Sequence, residues 1–329
     1  MIDFIFDRSE PASQCNEEQI AGEPQEQTSD FTGTIAFQNF TGDLADDLAT
    51  GRRDPSDIIK VGVYYYVYYT KTGAQADGYN GSIFAARSAD GIDWTELSEV
   101  IPKGQSGDFD YSSAFTANIL PWNGKYYLYW SGIAEPNTGS NPVRIGVAVS
   151  NSPEGPFVKY VNNPILEPSD DALRFDYLRV DDSCLITDKC KIYLFYKGRN
   201  DSYTHFTSFG AAVNKRGNPL GPFTKINGPN SDKGMVQQAH DSGLYKLRQG
   251  VVIGNWHQDE LNQTKLYYSS NFYDFTLKNT LAGESKAVGF FREDFQKSFG
   301  YGVDWGSVSD NGVNWPYIRR INYTGLKIT

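Results

Sequence analysis

Aromatic strands recur along the chain about every 60 residues, and this repeat constrains the fold more than any other feature. Three copies are VGVYYYVYYT (61–70), WNGKYYLYWS (122–131) and KCKIYLFYKG (189–198), and a fourth with fewer aromatic residues is LRQGVVIGNW (247–256). Matching Val67, Leu128 and Leu194 gives spacings of 61 and 66 residues. Phe, Trp and Tyr make up 15% of the chain, which favours strands.

A second strand pattern follows each copy. It consists of an apolar strand, a turn built from Asp, Gly, Pro or Asn, and an aromatic residue that begins the next strand. The copies are IFAARSADGIDW (83–94), GVAVSNSPEGPF (146–157), GAAVNKRGNPLGPF (210–223), LYYSSNFYDF (266–275) and VDWGSVSDNGVNW (303–315). Strand pairs at this period are typical of radial repetition, so we predict an all-β fold, a five-bladed β-propeller with a short N-terminal arm. Two packed β-sandwich domains are the alternative.

The predicted propeller domain spans residues 31–329. Residues 1–30 are polar, rich in Gln and Glu, and without strand periodicity, so we expect an N-terminal arm or tail there. The segment FTGTIAFQNF (31–40) alternates like a strand, and we expect it to supply the outer or closing strand of the last blade.

The charge balance narrows the choice of partner. The 30 basic and 40 acidic residues give a net charge of -10, which argues against nucleic acid or an anionic membrane, because phosphate binding needs a basic surface. A neutral sugar polymer is a more natural ligand than a highly sulfated one. No apolar run approaches the roughly 20 residues that span a bilayer. No signal peptide is visible, but we expect a periplasmic or secreted protein and leave a cytoplasmic location open.

The cysteines are Cys15, Cys184 and Cys190, too few for a disulfide framework. Cys184 and Cys190 flank a predicted turn, so they form either one disulfide across a hairpin or two buried thiols. Their spacing does not match a metal site, and we therefore predict no metal ligands.

Ionisable residues stand just before the aromatic strand in three of the repeats. They are Asp54 in RRDPSDIIKV, Asp182 in RVDDSCLI, and the pair His240 and Asp241 in QQAHDSGLYKL. Each alone has an ordinary structural interpretation, such as a turn residue, a solvated charge or a hydrogen-bonded core histidine. Their equivalent positions predict that they meet at the mouth of a central channel, because the inner strands of a propeller converge there.

Converging acids among aromatic residues are what glycoside hydrolysis requires. One carboxylate activates water or attacks carbon, and a second, protonated group donates to the leaving oxygen. The sequence contains no glycine-rich phosphate loop, no Gly-x-Ser-x-Gly elbow and no HExxH motif, which disfavours NTPases, α/β-hydrolases and zincins.

The motifs resemble those of glycoside hydrolase family 117, the α-1,3-(3,6-anhydro-L-galactosidases) that cut neoagaro-oligosaccharides from agar. The resemblance extends over about residues 50–320 and is carried, in order, by RDPSDIIKVGVYYYVYYTK, FDYSSAFTANILPWNGKYYLYW, VAVSNSPEGPFVK, DDSCLITDKCKIYLFYKG and AHDSGLYKL. It implies an inverting, exo-acting enzyme that takes an oligosaccharide substrate. It implies no cofactor, although some propeller glycosidases hold a channel cation. The family's long helical arm exchanges between subunits in its dimers. Residues 1–30 are shorter and weakly helical, and the resemblance leaves a homodimer through this arm open.

Roles follow from the family by position. Asp54 matches the general base, and Asp182 matches the aspartate that orients the base and raises the pKa of the acid. His240 matches a histidine proposed as the acid, and Asp241 stands where the family has a glutamate. Asp241 would hold His240 protonated near neutral pH. Inversion requires about 6.5 to 9.5 Å between base and acid.

The chain departs from the family in the residues that surround the sugar. Asn118 in FTANI replaces a glutamate that contacts the sugar, Ser131 replaces a glutamine, and Asp181–Ser183 replaces His-Asp-Pro. The other predicted substrate contacts are Phe115, Thr116, Trp130 and Arg179. The matching catalytic residues predict that the catalytic frame is retained. The departures predict that the substrate is a different anhydro-galactose or galactose linkage of a red-algal galactan.

Two other functions stay open. One is a propeller glycosidase of another specificity, such as an arabinofuranosidase, xylosidase or fructosidase. The other is a propeller that binds sugar without catalysis. The two remaining histidines, His205 and His257, are expected in loops or in the core.

Overall fold

The computed structural model describes residues 33–73, 79–202, 207–227, 234–237, 239–247, 250–256, 262–283, 289–292 and 301–324. Within these residues the fold is all-β, with 22 strands and no helix. It follows that this part of the chain contains no helix able to cross a membrane. The predicted arm at 1–30, together with Cys15, His205 and His257, lies outside the described residues.

The strands form five successive antiparallel units. Before the first unit come β1 (Thr34–Asn39), β2 (Thr41–Gly42) and β3 (Gly51–Arg53). Unit I contains β4 (Ile58–Val61), β5 (Tyr64–Thr72), β6 (Ser82–Ser88) and β7 (Asp93–Ile101). Unit II contains β8 (Ser113–Trp122), β9 (Lys125–Ile133), β10 (Val143–Ser150) and β11 (Val158–Lys159).

The remaining units have the same order. Unit III contains β12 (Arg179–Asp188), β13 (Lys191–Arg199), β14 (Thr207–Asn214) and β15 (Thr224–Ile226). Unit IV contains β16 (Asp241–Lys246), β17 (Val251–Trp256), β18 (Gln263–Ser269) and β19 (Thr276–Ala282). Unit V contains β20 (Gly289–Arg292), β21 (Tyr301–Asp310) and β22 (Val313–Thr324), with β1 as its outer strand.

The two ends of the chain meet in unit V. Strand β1 pairs antiparallel with β22, from Thr34 opposite Thr324 to Asn39 opposite Arg319. This pairing confirms the prediction that residues 31–40 supply the outer strand of the last unit. Strand β20 pairs in parallel with β4, which links unit V to unit I. Such closure leaves fewer strand edges exposed to other chains.

The repeated aromatic strands are buried on both faces, because each unit packs against two others. In β5, Tyr66 and Tyr68 pack in one cluster with Leu128 and Trp130 of unit II. The alternate residues, Val67 and Tyr69, pack in another cluster with Val303 and Ile318 of unit V. Side chains of a strand point alternately to its two faces, so a strand between two apolar neighbours needs an almost continuous apolar run.

Cys184 and Cys190 match neither alternative that the sequence left open, a disulfide between them or two thiols. Cys190 is disulfide-bonded, whereas Cys184 is a buried thiol outside any disulfide. The β12–β13 register explains this, since Cys184 lies opposite Phe195 and the hairpin closes at the pair Asp188 and Lys191. The two cysteines are therefore not cross-strand neighbours, as a disulfide across the hairpin would require.

Candidate active site

All five units contribute to one cavity of about 210 Å³. Unit I, with the segment that leads into it, supplies the largest share, and each other unit supplies one or two side chains. The lining residues are Arg53, Asp54, Tyr79, Phe115, Thr116, Asp182, Lys197, His240, Asp241 and Trp305. The structure therefore brings together the four predicted catalytic residues, although they are as many as 187 positions apart in the sequence.

The same backbone distortion places three of these side chains. Asp54, Thr116 and Asp182 have φ angles of 50°, 48° and 50°, in the left-handed region that residues with a Cβ rarely adopt. At Thr116 and Asp182 the strand pairing also shifts register, as expected for a β-bulge. A bulge redirects a side chain out of the normal alternation. Recurrence at equivalent points of three units indicates that the strain, typically about 1 to 3 kcal/mol each, serves the cavity.

Each of two such distortions is held by the preceding unit. The backbone N–H of Thr116 donates to Oγ1 of Thr70 at 2.8 Å, and the N–H of Asp182 donates to Oγ of Ser131 at 3.1 Å. Thr70 and Ser131 occupy the same place in the repeat, three residues after Val67 and Leu128. A hydroxyl at that position thus anchors the bulge of the next unit.

Asp54 is 94% buried beside a permanent cation. Its Oδ2 accepts a hydrogen bond from Arg53 Nε at 2.8 Å. Burial raises the pKa of the Asp54 carboxyl, the Arg53 charge opposes this rise, and the negative charges of Asp182 and Asp241 add to it. The pKa of Asp54 therefore lies above its ordinary value, which makes the carboxylate a stronger base.

Lys197 lies between three carboxylates. Its Nζ forms a close ion pair with Asp182 and stands 3.7 Å from Asp181 Oδ1 and 3.9 Å from Asp241 Oδ1. Burial alone would lower the pKa of Lys197, but the three carboxylates outweigh it and raise the pKa well above its ordinary value. Asp181 lies behind the cavity lining, and its burial, partly offset by Lys197, raises its pKa to about 6.

His240 and Asp241 are paired, with Nδ1 of the imidazole 3.0 Å from Oδ1 of the carboxylate. Burial would raise the pKa of Asp241, but the positive charges of His240, Lys197 and Arg53 lower it below its ordinary value. Asp241 is therefore ionised at neutral pH and cannot itself donate a proton there.

Aromatic side chains form the walls. Tyr79 packs edge-on against Phe115, with ring centroids 4.9 Å apart, and the guanidinium of Arg53 lies 4.4 Å from the ring of Trp305. Thr116 lines the cavity with Phe115, at the place where sequence reasoning predicted substrate contacts.

Three other predicted contacts lie behind the lining. Arg179 stacks on Tyr79 at 5.6 Å and donates to the carbonyl of Asn141, outside the cavity. Asn118 donates to Asp57 Oδ2 at 3.2 Å, and Ser131 is fully buried beneath Asp182. Their positions do not fit the direct sugar contact that was predicted for them.

Trp130 also differs from its predicted role as a wall residue. Its ring is fully buried in unit II, stacked on Phe109 at 5.9 Å, and its Nε1 donates to Asp110 Oδ2 at 3.0 Å. The physical reason is the alternation of β9, which places Trp130 on the same face as Leu128, in the apolar cluster between units I and II.

Sequence reasoning missed Arg53, Tyr79, Lys197 and Trp305. A signal existed for Lys197, because it stands in the third repeat where the first two have the hydroxyls of Thr70 and Ser131. A lysine inside a buried aromatic strand is unusual unless its charge is paired. Tyr79 and Trp305 carry no such signal, since the connection after β5 and the register of β21 decide their positions.

In the part of the chain that the structure describes, no group of three or more His, Cys, Asp or Glu side chains has the arrangement of a metal site. The absence of a cofactor thus stays a prediction, as does a cation in the channel.

An all-β fold of repeated units that directs carboxylates into one aromatic-walled cavity defines a propeller-type glycoside hydrolase. The sequence model of glycosyl hydrolases family 43 matches residues 48–243, more than half of the chain, and the chain belongs to that family. No match was found among curated proteins.

Solved structures agree on the fold. Zg3597, a family 117 glycoside hydrolase of the marine bacterium Zobellia galactanivorans, superposes with a TM-score of 0.79 at 21% identity, covering 91% of this chain and 96% of that one. A GH43_1 enzyme from Xanthomonas citri has a TM-score of 0.61 at 17% identity, covering 90% and 94%. The GH32 β-fructofuranosidase BmSUC1 of Bombyx mori has a TM-score of 0.63 at 14% identity, covering 91% and 64%. At these identities the likeness shows the fold alone.

Proposed function

We propose that this protein is an inverting, exo-acting glycoside hydrolase that removes a terminal (3,6-anhydro-)galactose-type residue from red-algal galactan oligosaccharides derived from agar or carrageenan. We further propose that its five antiparallel units are the blades of one five-bladed propeller. The observation that carries the proposal is the single cavity shared by Asp54, Asp182, His240 and Asp241.

The size of the cavity supports exo action. At about 30 Å³ per water molecule in the liquid, 210 Å³ corresponds to roughly seven waters, which is comparable to one sugar ring with its hydroxyl groups. A cavity walled by all five units accepts the end of a chain more readily than its middle. One terminal residue would then enter, with the rest of the oligosaccharide outside.

Asp54 is the proposed general base. Its raised pKa strengthens it as a base, and the hydrogen bond from Arg53 fixes one carboxylate oxygen, so that the other can accept the proton of the attacking water. Asp182 is the residue proposed to orient the base, Asp54. Lys197 holds its side chain, and Ser131 accepts a hydrogen bond from its N–H.

His240 is the proposed general acid. Asp241 is ionised near neutral pH and has no proton to give, so His240 is the proposed proton donor of the pair. The Asp241 Oδ1 lies 3.0 Å from Nδ1 of His240 and orients the ring. The reaction places the water proton on Asp54 and the His240 proton on the leaving oxygen, with inversion at the anomeric carbon.

The proposed substrate class depends on the family 117 motifs and on the likeness to Zg3597. Tyr79, Phe115 and Trp305 would contact the sugar, because aromatic faces pack well against the C–H groups of a ring. A second specificity, for arabinofuranosides, xylosides or fructosides, is favoured by membership of family 43.

A substrate screen tests the proposal. The wild-type protein is incubated with neutral and sulfated oligosaccharides from agar and carrageenan, and with aryl arabinofuranosides and xylosides, and products are read by mass spectrometry. Asp54→Asn runs alongside and should lose about 10²- to 10⁴-fold in kcat. The matched control is Asp57→Asn, a buried aspartate of the same segment that does not line the cavity and should retain activity while folded.

Loss of one terminal galactose-type residue by wild type and Asp57→Asn, but not by Asp54→Asn, would support the proposal. An inverted anomeric signal in the first NMR spectra would support the mechanism. Cleavage of the aryl glycosides alone would move the specificity to the second candidate. Oligosaccharide binding that survives Asp54→Asn, with no turnover, would replace catalysis by a sugar-binding function.

A further inference from the structure

Lys197 occupies a special place in the repeat. It follows Leu194 by three residues, as Thr70 follows Val67 and Ser131 follows Leu128. The hydroxyls of Thr70 and Ser131 each hold the cavity residue of the next unit through a backbone N–H. Lys197 also reaches the next unit, but it meets the Asp241 carboxylate, with its Nζ 3.9 Å from Oδ1.

The surroundings of Lys197 are rich in negative charge. Strand β12 brings Asp181 and Asp182, with Arg179 beside Asp181, and the start of unit IV brings His240 and Asp241. Unit I brings the phenol of Tyr79, and beyond it the pair formed by Arg53 and Asp54. Lys197, 7% exposed, is the cation that stands between the carboxylates of units III and IV.

We propose that Lys197 is a positioning residue that holds Asp182 of unit III and Asp241 of unit IV in one fixed arrangement. It acts on the reaction through these two residues, and in that respect the inference rests on the function proposed above. Three carboxylates this close repel one another, and without a central cation at least one of them would take up a proton or turn away.

Lys225 shows what a structural lysine looks like in the same unit. Its Nζ pairs with one buried carboxylate, Asp176, at 2.6 Å, and donates to the carbonyl of Glu167 at 2.7 Å. Burial lowers the pKa of Lys225, opposite to Lys197, because Asp176 and Asp170 do not fully offset burial and the nearby charge of Arg174. Buried ion clusters add little stability on balance, so a lysine between three carboxylates at the cavity indicates a role in the site.

The first test needs no substrate. Thermal unfolding is followed between pH 5 and 8 for wild type, Lys197→Met, Lys197→Gln, Lys197→Arg and the matched control Lys225→Met. Removing the charge at 197 should raise the pKa of the carboxylates around it in the folded protein. When such a pKa is raised by folding, the protein loses stability as the pH rises through it. The Tm deficit of Lys197→Met should therefore grow from pH 6 to pH 8.

Lys197→Gln, which keeps a hydrogen-bond donor and loses the charge, should give the same growing deficit and replaces Lys197→Met if that variant does not fold. Lys197→Arg should follow wild type in slope. Lys225→Met should lose Tm by a similar amount at every pH, because Arg174 Nε still pairs with Asp176 Oδ1 at 3.2 Å. Parallel Tm curves for Lys197→Gln and Lys225→Met would overturn the proposal.

The second test uses the galactan oligosaccharide that wild type cleaves in the screen. In Lys197→Met the acidic limb of the kcat/KM profile should move up by about one pH unit, with kcat falling more than KM rises. Lys197→Arg should restore the limb, and Lys225→Met should leave it unchanged. If wild type cleaves nothing, the proposed function fails, while the unfolding test still decides on Lys197. An unchanged limb in Lys197→Met would refute the positioning role.

Discussion

Asp181 gives the most direct test of the electrostatics at the site. Its carboxyl is buried behind Asp182, and burial, partly offset by Lys197, raises its pKa from 3.8 to about 6. Between these two values the folded protein binds more protons than the unfolded chain, so this group makes stability fall as pH rises from 4 to 6 and leaves it level above 6. A shift of about two units corresponds to about 3 kcal/mol.

Asp181→Asn removes this titration and keeps the shape of the side chain. The free energy of unfolding is measured by urea denaturation at half-unit steps from pH 4 to 8. The stability of Asp181→Asn relative to wild type should improve by up to about 3 kcal/mol between pH 4 and 7, with nearly all of the change below pH 6.5. The direction matters more than the size, because Asp182 and Asp241 share Lys197 with Asp181.

Asp188→Asn is the control on the same strand. Asp188 pairs with Lys246 at 3.0 Å at the partly exposed end of β12, and its loss should change stability by less than about 1 kcal/mol. If the difference between Asp181→Asn and wild type is constant with pH, or widens in the opposite direction, the assignment of a raised pKa to Asp181 is wrong.

Three further predictions concern the wall, the bulge and the packing. Phe115→Ala should raise KM about tenfold or more with a smaller change in kcat, because the wall contacts ground state and transition state alike; an effect on kcat alone would contradict this. Ser131→Ala should lower the free energy of unfolding by about 1 kcal/mol in urea denaturation, and it should lower kcat more than it raises KM, since Asp182 loses the hydrogen bond to its N–H. Unchanged kinetics would show that the bulge forms without this hydrogen bond. Gly132→Ala should cost about 1 to 3 kcal/mol, because a Cβ there would lie 2.4 Å from Cε2 of Phe109; calorimetry showing an unchanged Tm would mean that Phe109 moves freely.

Much of the fold could be predicted from the sequence. The run from Val61 to Thr70 is apolar on both faces, and such a run repeated at 61 and 66 residues needs neighbours on both sides of every sheet. Repeated sheets packed face to face satisfy this. The pairing of β1 with β22 also followed from alternation in residues 31–40.

The candidate site was predictable only in part. Asp54, Asp182, His240 and Asp241 could be found because ionisable residues before buried strands are conspicuous, and the structure places all four in one cavity. Whether they perform the assigned steps stays a prediction. Both alternatives for Cys184 and Cys190 were wrong, because Cys190 alone is disulfide-bonded and the hairpin register that separates it from Cys184 is a tertiary result.

Strand type, repeat length and the choice of acidic candidates were determined by the sequence alone, because they depend on local alternation and on residue chemistry. The direction of individual side chains was decided only by the tertiary structure. The left-handed residue at Thr116 shifts the alternation of β8, so that Asn118 turns toward Asp57, whereas Trp130 follows the regular alternation of β9 into the packing between units. The environment of Lys197 was also decided only by the tertiary structure, because folding brings carboxylates from two units within 4 Å of its Nζ.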